Sequence, residues 1–134
     1  MSKIAAVSLV IGVLSFASPT RGARQADNYC PFRGPITYAD GLTKTILYVE
    51  TDGRHLSAIS FGGKLLWTRD PFADTHLEPY RNEHPRICSI FKPAKWMLGS
   101  PPEPKRHFIA VGFDSTQTGV IDVSTGAFFF VGQD

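Results

Sequence analysis

The chain is short of cysteine, net charge and helical periodicity, and each shortage excludes something. Two cysteines, Cys30 and Cys88, in 134 residues are too few for a disulfide-rich mini-protein or for a thiolate metal site with its closely spaced ligands. Fourteen Lys and Arg against 12 Asp and Glu give a formal net charge of +2. A near-neutral mixed surface lacks the clustered positive field that phosphate backbones require, so nucleic acid is not an expected partner. Beyond the N-terminus no apolar run approaches the length of a membrane span. Nucleophile and cofactor signatures are missing too. Ser100 lies between Gly99 and Pro101 and has neither the flanking glycines nor the strand-to-helix context of a nucleophile elbow. Cys30 has no free thiolate to offer if it is oxidised with Cys88. No cofactor is expected, and no enzyme.

What is present begins with Lys3 followed by the apolar stretch 4–16, the length of a secretory h-region. Small residues follow, so residues 1–22 read as a signal peptide cleaved between 17 and 23. Residues 23–134 remain as one domain of about 110 residues, enough for a single modest core. Cleavage after Gly22 removes Lys3 and Arg21 and brings the net charge to zero. Asp27-Asn28-Tyr29 before Cys30 is not the small-residue approach of a lipoprotein acceptor. The expected location is periplasmic or secreted, with no membrane span after signal removal. In an oxidising compartment Cys30 and Cys88 pair as one disulfide, worth roughly 4 kcal/mol on the chain-entropy model.

The mature part carries an internal repeat with an offset of about 62 residues. In repeat 1, about 44–68, Thr45 to Val49 leads through Asp52-Gly53 into Leu56 to Phe61, and Gly62-Gly63 turns into Leu65-Leu66-Trp67. In repeat 2, about 107–131, Phe108 to Val111 passes a looser turn from Asp114 to Thr118 into Val120 to Val123, then Gly126 into Phe128 to Val131. The β-branched and aromatic runs and their turn residues predict an all-β domain of two three-stranded antiparallel meanders. Trp67 and Phe130 are expected to end matching strands and to pack inside. The Phe128 to Val131 strand, apolar on both faces, is expected to be covered on both sides or paired at its edge. Tyr29 to Leu42 reads as an arm or one irregular edge strand.

Between the repeats, 69–106 contains seven prolines and is expected to be a long loop, with one helical turn at most between Asp74 and Asn82. Such loops are disproportionately functional. Tyr80, Arg81, Trp96, Met97 and Ser100 are the candidate binding residues, because Tyr, Trp and Arg anchor interfaces and a proline-stiffened loop loses less entropy on docking. His76, Glu78, Glu83 and His84 put four possible ligands close together, but Pro79 breaks the helix that would align them and no zinc signature is present. No metal is expected.

The segments Ile46 to Gly53 with Gly63 to Trp67, and Ile109 to Asp114 with Gly119 to Gly126, resemble blade repeats of the quinoprotein type of β-propeller. Two blades cannot close a ring, so the resemblance implies blade-like sheets and not a quinone site. In outline, a small secreted chain with two such sheets, a disulfide and a long loop is similar to periplasmic immunity proteins that neutralise cell-wall amidases. That likeness implies a protein-binding module, an inhibitor or immunity protein for a cell-wall hydrolase, as monomer or homodimer. The alternatives are a self-associating β module and a small metal-binding hydrolase.

Overall fold

The computed structural model describes residue 30, residues 35–99 and residues 105–134. Residues 1–22, expected to be a signal peptide, and Ser100 lie outside the described residues. Eight strands form two antiparallel sheets of four. The first contains β1 (Thr37–Asp40), β2 (Thr45–Val49), β3 (Leu56–Ser60) and β4 (Leu65–Arg69) in sequence order. The second contains β5 (Ile87–Phe91), β6 (Phe108–Phe113), β7 (Thr118–Asp122) and β8 (Phe128–Gly132), again in sequence order. The all-β class holds, whereas the meanders gain a strand each. β1 is the irregular edge strand foreseen before Leu42. β5 lies inside the stretch read as loop, where Ile87-Cys88-Ser89-Ile90-Phe91, bounded by Pro85 and Pro93, pairs with β6. The span 69–106 is therefore a connector (70–86), a strand, and an excursion (92–107). An α-helical turn, α1 (Pro71–Asp74), ends where the expected Asp74 to Asn82 turn would begin; Asp70 caps it by accepting from the Ala73 N–H at 3.0 Å.

Period-two alternation places Leu47, Leu56, Ala58 and Trp67 on one face of the first sheet, all buried. They pack against Ile109, Val111, Ile121 and Phe128 from the second sheet in one shared core. The Trp67 indole N–H crosses to the Val123 carbonyl at 2.8 Å, which satisfies the polar edge of a buried ring. Phe113 meets Phe72 and Phe128 edge-on at 6.4 and 5.8 Å between centroids. Gly126 closes the β7–β8 turn with φ +75°, and a Cβ there would lie 2.7 Å from the Trp67 ring. The turn therefore requires glycine twice over, for its left-handed backbone and for the close approach.

Cys30 and Cys88 form the expected disulfide, with Cα atoms 5.0 Å apart. It fastens the chain preceding β1 to the edge strand β5. The last strand departs from expectation. Phe128 is buried, but β8 is a sheet edge, and Phe129 and Phe130 are 42% and 46% exposed. Phe129 stacks edge-on against Phe108 at 6.0 Å. In the ladder the partner of Ala58 is Trp67 and the partner of Val120 is Phe129. Trp67 thus corresponds to Phe129, one residue earlier than the sequence alignment gives, because register shifts interrupt both sheets.

Candidate functional site

The excursion between β5 and β6 is the most distinctive surface feature. In the first sheet the corresponding strands, β1 and β2, are joined by the tight turn 41–44, in which Asp40 accepts from the Thr43 N–H at 3.0 Å and from its hydroxyl. In the second sheet the same connection leaves at Phe91, passes Pro93 and forms a 3-10 turn over Lys95–Leu98. The Met97 N–H donates to the Ala94 carbonyl at 3.0 Å. Met97 is buried on Ala110 and Val120, with Leu98, Phe108 and Val131 around it. Successive side chains in a 3-10 turn diverge by a third of a revolution, so seating Met97 turns Trp96 outward. Trp96 is 74% exposed. Gly99, with φ +71°, ends the turn.

Beside the excursion lies a groove of about 360 Å³. Leu42, Pro93, Leu98 and Phe108 provide apolar walls, and Lys92, His107 and Asp40 its polar side. His107 Nε2 and Asp40 Oδ1 are 3.0 Å apart, joining the start of β6 to the end of β1 across the two sheets. Burial opposes ionisation of Asp40, but hydrogen bonds from Thr43 and the His107 ring outweigh it and hold the carboxyl below its ordinary range. With His107 on one carboxylate oxygen of Asp40 and the Thr43 hydroxyl and N–H on the other, the pair forms a strut between the sheets. Arg106 donates through Nε to Asp122 at 2.9 Å and lies over the rings of Phe108 and Phe129 at 5.7 and 5.4 Å. An arginine held by a buried carboxylate and two aromatic faces is a rigid cationic element.

Tyr80 and Arg81 sit elsewhere. The Tyr80 hydroxyl donates to the Asp134 carbonyl at 2.8 Å, and the Arg81 guanidinium lies 5.2 Å from the Tyr80 ring centre. The connector carrying them is stitched to the β6–β7 turn. Asn82 Nδ2 and the Arg86 N–H both donate to Asp114 Oδ1, and Gln117 Nε2 donates to the Glu78 carbonyl at 2.8 Å. That turn follows the end of β6, whereas the groove lies at its start, roughly 17 Å away at strand rise. Tyr80 and Arg81 therefore do not share a cluster with Trp96. His76 and His84 are exposed, and among the described residues no three His, Cys, Asp or Glu side chains converge on a possible metal position.

The groove residues Asp40, Leu42, Lys92, Arg106 and His107 were not legible as a site, since they come together only when β5 is recognised as a strand. The signal for it was the β-branched and aromatic run between two prolines. No family model, curated protein or solved structure matches the chain, so function is read from this geometry.

Proposed function

We propose that the protein is an extracytoplasmic protein-binding module that docks through its 92–107 excursion, and that its partner is a secreted cell-wall-degrading enzyme which it inhibits. The observation that carries this reading is the pairing of Met97 with Trp96. Met97 anchors the turn in the second sheet, and Trp96 before it presents an exposed indole beside a groove whose lining includes the fixed Arg106 guanidinium. A large aromatic on a rigid support is the usual form of an interface anchor, because little entropy remains to be lost on binding. The disulfide fits an oxidising compartment, and no helix among the described residues is long and apolar enough to cross a membrane. Two four-stranded meanders suit the blade-like reading of the repeats, with the excursion as the part that departs from a plain blade.

The test is a pull-down with the mature, oxidised protein from periplasmic extract and the products of neighbouring genes, read by mass spectrometry. The expected result is one stoichiometric hydrolase, retained by the wild type and by Tyr80→Ala/Arg81→Ala, and lost with Trp96→Ala. Capture that is indifferent to Trp96→Ala, or no capture at all, would overturn the proposal.

A further inference from the structure

The near-neutral total charge hides a local excess. Residues 92–107 hold Lys92, Lys95, Lys105 and Arg106 against one acid, Glu103, a net +3 in a chain whose total is +2. The connector 70–86 is the reverse, with Asp70, Asp74, Glu78 and Glu83 against Arg81 and Arg86. Two buried carboxylates, Asp40 and Asp122, lie at the groove end of the sheets, and both are engaged within the fold. Asp40 meets the His107 ring on one oxygen and the Thr43 N–H and hydroxyl on the other. Asp122 accepts from Arg106 Nε at 2.9 Å and from the Ser124 N–H and hydroxyl at 2.9 and 2.6 Å. The lysines have no such counterpart. Lys92, Lys95 and Lys105 are exposed, and among the described residues none of the three reaches a carboxylate.

We infer that the excursion receives an acidic segment of the partner protein, with an apolar side chain set in the groove against Leu42, Pro93, Leu98 and Phe108 and carboxylates on Lys92, Lys95 and Lys105. This rests on the docking reading above and adds the chemistry of what docks. Lys92 lines the groove itself, Lys95 immediately precedes the displayed Trp96 in the 3-10 turn, and Lys105 immediately precedes Arg106 where the chain returns toward β6. The cations thus flank a concave apolar wall of about 360 Å³. The matching ligand is apolar at its centre and anionic on either side, and such complementarity both steers encounter and rejects basic competitors. Three lysines are few for a phosphate backbone, whose affinity scales with the number of charges neutralised. A lipid surface is flat, whereas this site is a cleft of the kind that encloses side chains.

The experiment is an amide chemical-shift titration of the mature, oxidised protein with the peptide acetyl-Asp-Glu-Leu-Glu-Asp-amide, from about 0.05 to about 5 mM, a range suited to a short flexible ligand. Saturable shifts are expected in residues 92–107, at Leu42 and at the Trp96 indole N–H. Binding should weaken by about tenfold with the uncharged isostere acetyl-Asn-Gln-Leu-Gln-Asn-amide, and equally in Lys92→Gln/Lys95→Gln/Lys105→Gln, whose exposed positions spare the fold. It should also fall in about 1 M salt, where charges are screened beyond about 3 Å. No saturable shift, equal binding of the isostere, or shifts centred away from the excursion would overturn the inference. Tighter binding of decathymidylate or of phosphatidylglycerol vesicles would overturn it too. A peptide that fails while Trp96→Ala still abolishes hydrolase capture removes the acidic segment and leaves the docking reading standing. A peptide that binds as expected while no hydrolase is captured does the opposite.

Discussion

The indole N–H of Trp67 and the carbonyl oxygen of Val123 meet at 2.8 Å, and this bond ties the edge of one sheet to the end of a strand in the other. Trp67→Phe keeps most of the buried area but leaves the carbonyl without this donor, and should cost about 1–3 kcal/mol. Trp67→Ala adds a cavity and should cost about 3–5 kcal/mol. Urea unfolding of both variants checks the order; a Trp67→Phe variant as stable as the wild type would show that the hydrogen bond contributes nothing.

Gly126→Ala tests the turn beneath that indole. The backbone is left-handed there, and the new Cβ would approach the Trp67 ring and the Arg69 side chain at 2.7 Å. A loss of more than about 1 kcal/mol is expected. The same change at Gly41, where nothing lies within 4 Å of a Cβ, should shift the unfolding midpoint little.

Removing the disulfide by Cys30→Ala/Cys88→Ala should lower stability by about 2–5 kcal/mol, since the bond closes a loop between residues separated by 58 positions. Thermal melting of oxidised wild type, reduced wild type and the double variant checks this. The reduced protein and the variant should coincide.

Acid should destabilise the fold through three carboxylates. Asp40 and Asp122 resist burial because hydrogen bonds from Thr43 and His107, and from Ser124 and Arg106, favour their charged forms. Asp52, on a turn, is held low by the backbone N–H groups of His55 and Arg54. All three ionise below their ordinary range. Their contribution is present above pH ~4, the unfolded value, and is lost as pH falls through the depressed folded values. His55 runs the other way: its hydrogen bond to Asp52 raises its pKa, so its stabilisation is complete below pH ~6.5 and fades as pH rises through the raised value. Half-exposed on both sides, that pair should contribute little. Urea midpoints from pH 2 to 9 should show a steep acid limb, flattened in Asp122→Asn, and a shallow alkaline decline absent in His55→Gln.

Six of the eight strands were legible as regular runs because their turns carry chemistry that only a few residues satisfy. Asp52 accepts the Arg54 and His55 N–H groups, and Asp122 accepts from Ser124, so turn and strand announce each other. β1 and β5 were harder to read. Each is an edge strand beside prolines or glycines, and each owes its conformation to a neighbour already in place. Exposure in β8 was misjudged for a related reason. Three consecutive phenylalanines look buried on both faces, whereas the sheet ends there and leaves Phe129 and Phe130 at the rim. Met97 and Trp96 were singled out together, and only the 3-10 turn distinguishes anchor from displayed side chain. Ser100 was chosen on the same stretch and lies outside the described residues.

One strand-to-strand connection is a tight turn in the first sheet and a long excursion in the second, although the strands it joins pair antiparallel in both. The scaffold thus tolerates very different lengths at that junction, because loop-closure entropy grows only slowly with length. Specificity can be rewritten there by insertion, deletion or exchange while the register of the sheets stays fixed. The 92–107 position is accordingly a natural graft point, a place to transplant a foreign recognition loop onto a frame that does not need to be redesigned to accept it.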